Sequence, residues 1–204
     1  VDRNQDRLAS GKVDLSGDFL SHFSMPRRMT EMPLHLEPLE IQDKLQDYSS
    51  VLLVSCPVCP PVSLATDRNE PFMEFFKHGI KTAAFEDYLE DIRKRLASDG
   101  IRTGTFTSYL PCAATCLWTS GQRHRLLRRA RGYDAALVFG CESARYTVED
   151  TLRDTDCDVI LAMELVGVTN AHLRFEFPLT IRLDNQARVQ ANERVARAAM
   201  RHAG

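Results

Sequence analysis

Six cysteines are the residues of this chain best suited to chemistry. Two lie in Cys56-Pro-Val-Cys59, two in Cys112-Ala-Ala-Thr-Cys116, and Cys141 and Cys157 stand apart. In a chain this long they are too few for a small disulfide scaffold, so they read first as metal ligands or redox thiols. Tetrahedral thiolate sites suit zinc or an iron–sulfur cluster. What matters is whether the fold can bring them together.

Val51-Leu-Leu-Val54, between polar residues and Cys56-Pro57, is a buried-strand signature. Ile101–Leu110, Ala135–Phe139 and Asp158–Met163 read as three further strands, and Leu173–Ile181 as an edge strand or hairpin arm. Phe85–Ser98 has apolar residues at three- and four-residue steps, acid early and base late, with Gly100 beyond. That predicts an amphipathic helix. Leu117–Arg131 predicts a second, Thr147–Arg153 a short third with a capping box, and Gln186–His202 a fourth. The proline-containing stretch Pro60–Thr82 is expected to be loop with one short helix. Residues 1–48, polar and interrupted by Pro26, Pro33 and Pro38, are read as an irregular N-terminal arm before a domain at 49–204. Alternating strands and helices predict an α/β domain with a parallel sheet of about four strands and flanking helices, flavodoxin- or Rossmann-like.

In that arrangement Cys56, Cys112 and Cys141 each follow a strand at its carboxyl end, where such sheets bind ligands. Cys59 and Cys116 are their near neighbours. Adjacent strands lie about 5 Å apart, so five thiols are expected to converge near helix starts, positions that lower a thiol pKa. Cys157 precedes a strand, on the opposite edge, and is read as structural. Four of Cys56, Cys59, Cys112, Cys116 and Cys141 would hold the metal.

At these residues the chain resembles the C-terminal cysteine-rich domain family found with methylenetetrahydrofolate reductases, which is also a separate small subunit in acetogen-type enzymes. The resemblance runs over roughly residues 50–165: the strand ending in Cys56 and Cys59, the helix at 85–100, Cys112, and Ala135-Ala-Leu-Val-Phe-Gly-Cys141-Glu-Ser-Ala144 followed by Thr147-Val. It implies an accessory subunit that binds zinc or an iron–sulfur cluster, of the four-iron, four-sulfur kind among others. It also implies pairing with a flavin-containing reductase in one-carbon metabolism and a role in electron delivery or structural support, with an electron-donor protein as a second partner. The chain departs from the family pattern at Ser63, where a further cysteine is common, and at Glu142, where glycine is usual.

Other readings are weaker. His35-Leu-Glu37 before Cys56-Pro-Val-Cys59 follows the order of zinc deaminases, but Ser55 stands where proline belongs, and His35 reads as a solvated arm residue. A thiol oxidoreductase using Cys56 and Cys59 leaves the other cysteines unexplained. A third possibility is a purely structural zinc module. No phosphate-binding glycine loop or GxSxG elbow occurs. Lys plus Arg total 26 against 28 for Asp plus Glu, a net charge of −2, which gives no global field for nucleic acid. Five arginines at 123, 125, 128, 129 and 131 form the one basic cluster, read as a solvated helix face with docking of an acidic partner as the alternative. No apolar run spans a bilayer and no secretory leader is recognised, so a cytoplasmic protein is expected.

Overall fold

The computed structural model describes residues 34–79, 81–107 and 114–190, with side chains at 78 and 185–190 left aside. The chain order is β1 (Leu34–Pro38), β2 (Ser50–Ser55), α1 (Cys59–Arg68), β3 (Met73–Glu74), α2 (Phe75–His78), α3 (Ala83–Ser98) and β4 (Arg102–Thr107). A 3-10 turn at Thr115–Leu117 then leads to α4 (Ser120–Ala130), β5 (Ala135–Phe139), α5 (Glu142–Leu152), β6 (Asp158–Leu161), β7 (Met163–Glu176) and β8 (Thr180–Gln190).

Two four-stranded sheets result. One is parallel, in the order β4-β2-β5-β6; the other is antiparallel, in the order β1-β7-β8-β3. The parallel sheet of four strands matches the sequence expectation, whereas the antiparallel sheet was not foreseen. Central strands β2 and β5 are buried along their whole lengths, which is why they read as unbroken aliphatic runs.

Side chains alternate across the sheet. Val51, Leu53, Leu137 and Phe139 join one core cluster with α1 and α3, and Leu52, Val54, Ala136 and Val138 join another with α4 and α5. Helices therefore cover both faces. The antiparallel sheet adds Leu36, Met163, Ala171 and Leu183 to the first cluster and packs on α1.

Several expectations need correction. Residues 34–48 are not an arm. β1 pairs with β7, and His35, Leu36 and Leu45 are buried. A register shift between His35 and Leu36 lets two consecutive side chains point inward, as bulges do. His35 is not solvated: its Nδ1 lies 2.7 Å from Thr169 Oγ1 and its Nε2 lies 3.1 Å from Asp67 Oδ1. The stretch after Cys59 is helix, not loop, with Pro60 and Pro61 in its first turn. There proline's missing N–H removes no intrahelical bond.

Helix α5 begins at Glu142 rather than Thr147, and the Thr147 hydroxyl donates to Ser143 O instead of capping. The expected helix from Gln186 begins as strand β8. Residues 1–33 and 191–204, including the rest of both expected elements, lie outside the described residues.

Phe139 is the hub of the larger cluster, edge-on to Phe85 at 6.5 Å and to Tyr88 at 5.9 Å. It is fully buried. Phe139→Ala is expected to cost about 3–5 kcal/mol, measured as a fall in the urea midpoint with an unchanged slope.

Candidate metal centre

The parallel order places β2 between β4 and β5, so the chain leaves β2 toward one side and later returns on the other. The carboxyl ends of β2 and β5 thus flank the point where the strand order reverses, and such points open a crevice. Cys56 follows β2 and Cys141 follows β5 on its two sides. Ser55 is level with Phe139 in the ladder, and the Cys56 N–H donates to Phe139 O at 2.9 Å. Gly140 permits the close approach: a Cβ there would sit 2.7 Å from Ala144 Cβ and 3.5 Å from Cys56 Cβ.

Three helices start on this rim. Cys59 is the first residue of α1, Cys141 is the N-cap of α5, and Cys116 lies in the 3-10 turn just before α4. Cys56 is buried, Cys59 and Cys141 are half-buried, and Cys116 is exposed; Cys56, Cys59 and Cys141 are free thiols. Negative charge on Cys56, Cys141 and Cys116 acts on Cys59, so each of the three lies within electrostatic reach of Cys59. Cys112 lies outside the described residues. Cys157 is buried at the head of β6, away from the rim, in the cluster with α4 and α5. Among the described residues, no three or more His, Cys, Asp or Glu side chains are close enough together to hold a metal ion.

The thiol chemistry differs from expectation at Cys59. Burial pushes its pKa up to about 12, with charge on Cys56 next, while a backbone hydrogen bond from Leu34 pulls it down and Cys141 and Cys116 push it up. A helix start alone would lower it. Pro60 and Pro61 follow immediately and have no N–H to offer an anion, so the first turn of α1 is a poor thiolate site. Such a thiol is a weak nucleophile at neutral pH.

Ser63 is not oriented as a fifth ligand. Its hydroxyl accepts from the Leu36 N–H at 2.9 Å and faces Cys59 O at 3.0 Å and Leu34 O at 3.3 Å. It ties β1 to the first turn of α1. Sequence reasoning missed this tie and the His35–Asp67 contact, because both depend on β1 being a strand. Glu142 pairs with Arg145 at 2.7 Å and does not face a thiol as its ion partner. Trp118 packs edge-on to Phe106 at 5.4 Å. The hydroxyls of Ser55 and Thr115 and the indole N–H of Trp118 are buried without a hydrogen-bond partner. Each lies within two residues of Cys56 or Cys116, and such donors suit a sulfur-rich anionic group. The cysteines and these donors are of the types a metal–thiolate group uses, while their described positions do not form a metal site.

Comparison with protein-family models, with curated proteins and with solved structures returns no match for this chain.

Two measurements check this description. Gly140→Ala forces the first turn of α5 to shift and is expected to cost about 1–3 kcal/mol; adding Ala144→Gly should restore part of it in thermal unfolding. Cys157 has its pKa pushed up to about 11, mainly by burial and then by Asp158 and Asp134, from an ordinary 9.0. Below pH 9 this thiol is protonated in both folded and unfolded chains and has no effect. Between pH 9 and 11 the unfolded chain loses the proton first, so folding stability falls as pH rises. Cys157→Ala should abolish that part of the decline, read as a stability difference from the parent that shrinks across the same window.

Proposed function

We propose that this protein is an accessory metal–thiolate subunit of an oxidoreductase complex in one-carbon metabolism, acting with a methylenetetrahydrofolate-reductase-like flavoprotein. The observation that carries the reading is the arrival of Cys56, Cys59, Cys116 and Cys141, from three separate chain crossings, at the carboxyl rim of one parallel sheet. Charge on Cys56, Cys141 and Cys116 disfavours ionisation of Cys59, and a bound cation would relieve that repulsion. Four of Cys56, Cys59, Cys112, Cys116 and Cys141 hold the group. An iron–sulfur cluster would carry an electron to or from the flavin, whereas zinc would staple the three loops.

Two features support a flavodoxin-type reading of the parallel half: its strands run second-first-third-fourth in chain order, and helices cover both faces. Free thiols fit a reducing compartment, and we assign the protein to the cytoplasm. No helix among the described residues is long and apolar enough to cross a membrane. The rival reading, a dithiol oxidoreductase using Cys56 and Cys59, leaves Cys116 and Cys141 without a role.

Protein purified without oxygen should contain iron and sulfide, and be brown, or contain stoichiometric zinc and be colourless. Cys56→Ser with Cys141→Ser should lose most of the metal, and Cys157→Ser should keep it. A metal-free parent protein, or retention of metal by the double variant, overturns the proposal.

A further inference from the structure

The five arginines of residues 123–131 play no part in the thiol site. All but Arg131 lie on α4, and Arg131 ends it. Buried Gln122, Leu126 and Ala130 turn one side of the helix to the core, leaving Arg125, Arg128, Arg129 and Arg131 exposed with His124. There is no acidic residue from Ala114 to Tyr133.

Elsewhere on this surface, charges are commonly matched. Lys77 faces Asp87, Lys81 faces Glu86, Arg93 faces Glu90, and Arg174 and Arg182 both face Glu176. Among the described residues, the α4 cation with such a partner is Arg123, which faces Asp150 of α5. Arg125, Arg128 and Arg129 are like charges at three- and four-residue spacing, which destabilises a helix. A sequence that keeps such a penalty on one face departs from its own local rule there, as functional surfaces do.

We infer that the exposed arginine face of α4 is a docking surface for an acidic face of another protein. Charge complementarity sets the sign of the partner, since guanidinium groups engage carboxylates in paired hydrogen bonds. The face is about 16 Å long, from 11 residues at 1.5 Å each, a scale that suits a patch on a protein. At its rim end lie two exposed apolar side chains, Leu117 beside Cys116 and Tyr146 on α5, and the 3-10 turn packs on α5. Apolar anchors beside arginines are the composition of a protein interface.

Nucleic acid fits less well. The five arginines carry +5 in a chain of net charge −2, so the remainder is acidic and repels an extended polyanion. The one ring α4 presents for base stacking is the His124 imidazole, and Tyr133 just beyond the helix is covered by the Arg102 guanidinium at 4.5 Å. The surface stands whether or not the thiols hold metal, so its test is separate from that of the centre.

The full-length protein is titrated with a labelled poly-L-glutamate peptide and, separately, with a labelled oligouridylate of equal charge. The peptide should bind at about 50 mM salt, weaken at about 200 mM, and bind at least as tightly as the oligouridylate. Arg125→Glu with Arg128→Glu should weaken peptide binding about tenfold or more while circular dichroism is unchanged. If that variant does not fold, Arg125→Gln with Arg128→Gln takes its place, with a smaller loss expected. Absence of peptide binding at low salt, or binding unaffected by the folded variant, overturns the inference. Tighter oligouridylate binding, lost with the same substitutions, would also overturn it and assign the face to nucleic acid.

Discussion

A strand covered on both faces can show polar chemistry only at its ends. β2 is such a strand, buried from Ser50 to Ser55 and hydrogen-bonded on one side to β4 and on the other to β5. Parallel pairing brings the carboxyl ends of all three to the same rim, and the register keeps Ser55 level with Phe139 and with Thr107. Whatever follows these strands must start there, and cysteines follow two of the three within two residues. The placement of these cysteines is thus a consequence of register, with Gly140 lacking the Cβ that would collide with Ala144 of α5.

Two influences then compete at Cys59. Helix starts favour the ionised form through their free N–H groups. Burial and neighbouring sulfur favour the neutral form. At Cys59 the second wins, because prolines occupy the positions that would have supplied donors. The same prolines are well suited to begin α1, so one local choice both builds the helix and withholds its usual effect on charge. β1 partly compensates through the Leu34 hydrogen bond to Cys59, which makes the antiparallel sheet a contributor to the rim.

The parallel half was legible because its signals are local. Val51–Val54 and Ala135–Phe139 are uninterrupted aliphatic runs, and α3 repeats its apolar residues at helical spacing. The antiparallel half was not. β1 is five residues between prolines, and its register shift spoils the period-two pattern. β7 carries a similar irregularity between Asn170 and His172, so a 14-residue strand reads as a short, uneven one. Pro60 and Pro61 look like breakers until the helix start is known. Thr147 offered a cap by its sequence neighbourhood, but its hydroxyl bonds within α5. The placement of Cys56, Cys59, Cys116 and Cys141 on strand ends and helix starts followed from the legible half; Ser63 and His35 act through β1, which could not be read.

The passage from β6 to β7 consists of Ala162 alone. Its N–H donates to Val138 O in the parallel sheet, and its carbonyl accepts from the Leu39 N–H just beyond β1, both at 2.9 Å. A joint one residue long, fastened on both sides, leaves no slack for a hinge. The two sheets are therefore coupled through backbone at this point, and a change of angle between them has to break at least one of these two hydrogen bonds.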